Sequence, residues 1–143
     1  MVKIANAQFW VHDQDEALEF YVGTLGWEVR SDVTMEGWGF RWLVVGPVGQ
    51  DDVGLVLMSI PGPPMLDAAS SEQLGALVAK GAGGTLFLEV DDCRAVHDEW
   101  STRGVVFNDP PTEQPYGIDT SFRDPSGNNV RVTQVLAFDP ERG

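Results

Sequence analysis

Apolar and polar residues along this chain follow two periods that take turns. From Asn6 to Val11 the run NAQFWV alternates, which predicts a strand with Ala7, Phe9 and Val11 on one side. Asn6, Gln8 and Trp10 would then face the other side. Beyond it, Asp13 and Glu16 make a D-x-x-E start that resembles a capping box, and Ala17, Phe20, Tyr21 and Leu25 follow at helical spacing. Gly26 supplies a stop, and Trp27-Glu28-Val29 begins another strand. Two further strand patterns lie at about 39–46 (GFRWLVVG) and about 53–60 (VGLVLMSI).

The arrangement recurs. FWVHDQDEALEFYVGTLGWEV (9–29) has a partner in LEVDDCRAVHDEWSTRGVVF (88–107), with Val11 against Val90 and Gly26 against Gly104. In the second copy Asp91 or Asp92 caps a helix striped by Ala95, Val96 and Trp100, Gly104 stops it, and RGVVF is the next strand. Strands at about 118–123 and 129–135 follow, joined by a tight turn at Asp124-Pro125-Ser126-Gly127. In the last strand Val130, Val132 and Val135 are apolar, so Arg131 and Thr133 are expected on the opposite face. The order is βαβββ twice: one module at about 3–60, a connector at about 61–83, a second module at about 84–136, and a tail at 137–143. Within the connector, Ser70 or Ser71 can cap a short helix carrying Leu74, Leu77 and Val78. It serves either as a linker or as an arm packed on a partner subunit.

Length and composition narrow the picture. A chain of 143 residues, 43% apolar, suits one domain with a real interior. No apolar run reaches the roughly 18 residues of a membrane helix, and MVKIANAQFW has no signal-peptide layout. Cys93 is the single cysteine, which excludes an intrachain disulfide, so a cytoplasmic protein is expected. The net charge of −13, with nine basic against 22 acidic residues, disfavours nucleic acid and membrane partners.

The doubled βαβββ order, with V-x-D-x-D-x-A-L-x-F-Y-x-x-x-L-G-W (11–27) and D-P-S-G-N (124–128), resembles the vicinal-oxygen-chelate superfamily. That superfamily contains glyoxalases, bleomycin-resistance proteins and extradiol dioxygenases. FRWLVVGP, LVLM, PPMLD, DDCRA, RGVVF and EQPYGIDTSFRDPSGN look like a bacterial subgroup of small glyoxalase-like proteins. The resemblance implies an α+β fold in which paired modules curve a mixed sheet into a cup, usually in a homodimer. In metal-using members it implies four His, Glu or Gln ligands on the first and last strands of each module. Carried over residue by residue, those positions are Asn6, Val56, Thr85 and Arg131. A guanidinium offers five donors, no acceptor and a permanent charge, so this set is unfit for a divalent cation.

A metal-free cup is therefore expected, with Arg131 either paired with a carboxylate such as Glu89 or touching a ligand's anionic or electron-rich group. Asn6, Gln8 and Trp10 would line it, joined by Val56, Met58, Thr85, Phe87, Glu89, Tyr116 and Thr133. Trp38, Phe40 and Trp42 share one strand face, as core, dimer interface or a stacking wall for a planar ligand. His12 and His97 are expected to be solvated, and Cys93 structural. The expected function is binding of a small organic molecule, for sequestration or resistance. An enzyme of the same superfamily (lyase, isomerase or dioxygenase) would instead need Zn, Ni, Mn or Fe, held by a set such as Gln8, Glu89 and Asp119 with a residue of a second chain. A third possibility is an oligomerisation module without a ligand.

Overall fold

Alternation and capping decide where the elements begin. In a computed structural model, which describes residues 1–136, β1 (Asn6–Val11) is followed by α1 (Gln14–Leu18), whose N-cap Asp13 accepts the Glu16 N–H at 3.0 Å. The helix then widens into a π-helical stretch, Glu19–Thr24, closed by the Leu25 N–H donating to the Phe20 carbonyl five residues back at 2.9 Å. Gly26 ends it with φ 82°, a left-handed conformation that a side chain would strain. Strands β2 (Glu28–Met35), β3 (Phe40–Gly46) and β4 (Gly54–Ser59) follow, then α2 (Ala68–Ala79), β5 (Thr85–Glu89) and α3 (Cys93–Thr102). β6 (Thr112–Gln114), β7 (Gly117–Arg123) and β8 (Asn129–Val135) complete the chain. The expected tail at 137–143 lies outside the described residues.

The fold is α+β with two open, four-stranded mixed sheets, ordered β1-β4-β3-β2 and β5-β8-β7-β6. In each, the first strand runs parallel to the last of its module and the other neighbours are antiparallel. The chain divides into two units. The first holds Met1–Gly84 together with Pro125–Asn128; the second holds Thr85–Asp124 and resumes at Asn129.

The first unit's core lies between one face of its sheet and the α1 segment. Phe9, Val11, Leu43, Val45, Leu55 and Leu57 are buried there with Ala17, Tyr21 and Leu25. Each large side chain so buried contributes about 1.5–3 kcal/mol. Arg41 ties the rim, donating to Asp15 at 2.6 Å and to both oxygens of Asp32 at 2.9 and 3.0 Å, which holds Asp32 below the usual carboxylate range. In the second unit, Val130, Val132, Phe122 and Ile118 pack with Cys93 and Trp100 of α3, and the Trp100 ring meets Phe122 edge-on at 5.7 Å.

Several expectations need correction. The α2 cap is Asp67, not Ser70 or Ser71: its carboxylate accepts the Ser70 N–H at 2.8 Å and outcompetes a hydroxyl by charge. At α3 the cap is Asp92, one of the two expected, and of the expected stripe only Ala95 fails: it is exposed, and Cys93 is buried with Trp100 while Val96 is half-buried. RGVVF forms no strand; only Phe107 bridges to Phe122, and the edge strand is Thr112–Gln114 further on. Trp38 sits in the β2–β3 turn, 83% exposed, because the glycines on either side bend the chain there. Val135 faces the Arg131 side, since strict alternation through Thr133 carries it there, and it is exposed.

The β7–β8 turn packs as part of the first unit. The Ser126 hydroxyl accepts the His12 N–H at 3.0 Å, and Asn128 Nδ2 donates to the Trp10 carbonyl at 2.8 Å. Gly127 has φ 108°, and a Cβ there would stand 2.3 Å from the Val78 carbonyl oxygen and 2.8 Å from the Ala79 Cα. Backbone cannot yield cheaply. Gly127→Ala is therefore expected to lose about 1–3 kcal/mol of stability in denaturant unfolding; an unchanged midpoint would contradict the packing described.

Candidate functional site

Paired residues on neighbouring strands share a sheet face, so the registers sort the candidate residues. In the first unit, Asn6, Gln8 and Trp10 pair with Gly54, Val56 and Met58, and Val56 pairs in turn with Val44. Phe40 and Trp42 extend that face along β3, opposite Met35 and Val33. Asn6 and Gln8 are exposed, whereas Trp10, Phe40, Trp42 and Met58 are half-buried. Val56 is only 3% exposed, so it supports this face from beneath and offers a ligand little surface. Trp38 does not join it as a strand residue, because it lies in the turn.

In the second unit, Thr85, Phe87 and Glu89 on β5 pair with Asn129, Arg131 and Thr133 on β8. Those residues pair across to Arg123, Ser121 and Asp119 on β7. One face thus carries a hydroxyl-rich, aromatic and charged set, while the opposite face is core. A cavity of about 300 Å³ opens on this side. Of the candidate residues, Thr85, Phe87 and Arg131 line it. Asn108, Ser121, Asn129 and Val130 line it as well, and sequence reasoning passed over these four. Asn108 Nδ2 donates to Ser121 Oγ at 3.1 Å, and its N–H donates to the Ser121 carbonyl at 2.8 Å, which draws the 107–109 segment onto the sheet.

Arg131 is anchored by Asp119, not by Glu89. Its Nη1 lies 2.5 Å from Asp119 Oδ2, and the same oxygen accepts the Tyr116 hydroxyl at 2.7 Å. Glu89, on β5 at the other flank of β8, is exposed, and an ion pair between solvated groups there would contribute little. Asp119 is 2% exposed, and a carboxylate so deprived of water needs these two donors. The Arg131 side chain remains 41% exposed. Its hydrogen bond to Asp119 raises an already high guanidinium pKa, so it stays a cation at every physiological pH.

The remaining candidates take structural places. Cys93 is buried; burial, then the nearby Asp119, pushes its thiol up, so it is not a primed nucleophile. The His97 ring lies against Phe107 at a 48° tilt with centroids 4.4 Å apart, and it meets Asp98 at 3.1 Å, so it is less solvated than expected. His12 Nε2 lies 2.8 Å from the Gly75 carbonyl oxygen. Among the described residues, no three His, Cys, Asp or Glu side chains are grouped to hold a metal ion. No helix among them is long and apolar enough to cross a membrane.

Residues 3–132 match the family model described as the Glyoxalase/Bleomycin resistance protein/Dioxygenase superfamily. Among solved structures, the chain is similar to UcmS2, with 36% identity and a TM-score of 0.84 over 93% of this chain and 98% of that one. It is also similar to TnmS3, an antibiotic binding protein from Streptomyces sp. CB03234, with 31% identity and a TM-score of 0.73 over 95% and 98%. An uncharacterized protein of Shewanella frigidimarina (strain NCIMB 400) shares 34% identity over 127 residues, 87% of each chain.

The Tyr116 phenol reports on this cluster. Its hydrogen bond to Asp119 comes first in raising its pKa, with burial and the carboxylate charge adding and Arg131 opposing. The folded value exceeds the unfolded value of about 10. The neutral phenol thus contributes stability that is whole below about pH 10 and lost as pH rises through the folded value. An NMR titration of the Tyr116 ring should show deprotonation above the free-tyrosine value, and Asp119→Asn should bring it down. A Tyr116 titrating like free tyrosine would break the cluster.

Proposed function

This chain belongs to the Glyoxalase/Bleomycin resistance protein/Dioxygenase superfamily, and on that premise we propose that it binds a small organic molecule without the help of a metal ion. The observation that carries this reading is the cavity of about 300 Å³ walled by Phe87 and Arg131. A space of this size with one aromatic wall and a few polar groups suits a small ligand. Phe87 is 73% exposed, and so large an apolar ring left in water gains by stacking on a flat guest. TnmS3, similar along almost the whole chain, is an antibiotic binding protein, which supports sequestration or resistance as the biological use.

Donor chemistry argues against a resident ion. At the four positions where the resemblance implies ligands stand Asn6 and Val56 in the first unit and Thr85 and Arg131 in the second. Valine has no donor atom, an amide and a hydroxyl are weak neutral donors, and a guanidinium cannot donate a lone pair. Arg131 moreover holds Asp119, the nearest carboxylate, which is thereby spent as a ligand. The residues present do not fit a divalent metal, and no step of the proposed function runs through one. A cytoplasmic homodimer completes the reading.

A library of planar aromatic fragments, screened by protein-observed NMR, should shift signals of Phe87, Arg131 and Thr85. Phe87→Ala should weaken the best fragment about tenfold, the equivalent of a lost aromatic contact of about 1.4 kcal/mol, with the melting temperature unchanged. Stoichiometric Zn, Ni, Mn or Fe in protein purified without chelators would overturn the metal-free part. An unaffected Phe87→Ala would overturn the choice of face.

A further inference from the structure

The cavity on the second unit's sheet has a single charged lining residue, Arg131, and that charge is already answered. Asp119 sits beneath it with an oxygen 2.5 Å from Nη1, almost fully withdrawn from solvent and outside the cavity lining. Asp109 adds a second, more distant negative charge. Exposed Arg123 and Glu89 stand at opposite ends of the same face, one of each sign, so local charge is close to zero, or slightly negative, within a chain of net charge −13. An anionic ligand would gain only a guanidinium already neutralised, and would approach through a repulsive field. A cationic ligand would meet a head group that offers donors and no acceptor.

What the lining offers is hydrogen. Arg131 has further N–H groups beyond the one engaged by Asp119, and its side chain is 41% exposed. Ser121 Oγ accepts from the Asn108 amide and so has its own proton left to give. The Thr85 hydroxyl, on the same face, is a third donor. Phe87 stands next to Arg131 in register and supplies the flat apolar wall.

We infer that this site selects flat, uncharged molecules bearing carbonyl-type oxygens, and that Asp119 sets this selectivity by cancelling the charge of Arg131. The inference rests on the binding function proposed above and narrows its ligand class. Asp119 is a positioning and selectivity residue: it acts through Arg131 and does not line the cavity.

The test compares two probes of the same shape, 2-naphthamide and 2-naphthoate, titrated at pH 7 against wild type and Asp119→Asn by calorimetry and NMR. Wild type should bind the amide at least tenfold more tightly. In Asp119→Asn the carboxylate should gain tenfold or more relative to the amide, because Arg131 is then uncompensated. Should Asp119→Asn fail to fold, the wild-type ratio decides alone. A wild type that binds naphthoate equally well or better overturns the inference while leaving small-molecule binding on this face intact. So does an Asp119→Asn protein with an unchanged ratio. If neither probe shifts Phe87 and Arg131 signals at millimolar concentration, the binding function itself falls, and the ligand class with it.

Discussion

A carboxylate taken out of water must be given donors, and the second unit is arranged around that requirement. Asp119 points to the same sheet face as Arg131 because β7 and β8 pair antiparallel with Ser121 opposite Arg131 and Asp119 opposite Thr133. Arg131 and Tyr116 converge on one oxygen of Asp119, fixing an arginine that would otherwise sweep freely over an open sheet. Side-chain freedom of a lone surface arginine carries an entropy of about 2 kcal/mol, so holding it in place beforehand lowers what a ligand must later spend on order. The ion pair thus shapes the site as much as it stabilises the fold.

Much of the architecture was legible in the residue pattern. Period-two alternation in NAQFWV and in the strand around Arg131 placed the right residues on the right faces, and D-x-x-E with a following glycine marked the first helix at both ends. Where reading failed, a local competitor won. RGVVF has strand propensity, yet its first residues bond back to the end of α3, only Phe107 bridges to β7, and pairing moves on to Thr112–Gln114 after two prolines. Trp38 looked like one of three aromatics in a strand, but Gly37 and Gly39 turn the chain first.

The site was legible only in part. Thr85 and Arg131, positions that the resemblance pointed to, and Phe87, on the same face by period-two alternation, all line the cavity. Sequence reasoning missed Asn108, which reaches the cavity from an irregular segment where periodicity carries no information. Glu89 was one example of a carboxylate that Arg131 could meet, beside contact with a ligand. β5 and β7 both flank β8, and the carboxylate that Arg131 holds is the buried Asp119 of β7, whereas Glu89 of β5 is exposed. A period-two reading of GIDTSFR would have put Asp119 and Ser121 together on one face, which was the available signal.

The turn at Pro125–Asn128 carries a different lesson. Its flanking strands belong to the second unit, while its own four residues serve the first, capping the end of β1 through His12 and Trp10. A gene fragment stopped at Gly84 would therefore encode a half that lacks four of its own pieces, with a strand end stripped of its bonding partners. The two repeats read as equals along the chain, yet they are not separable goods.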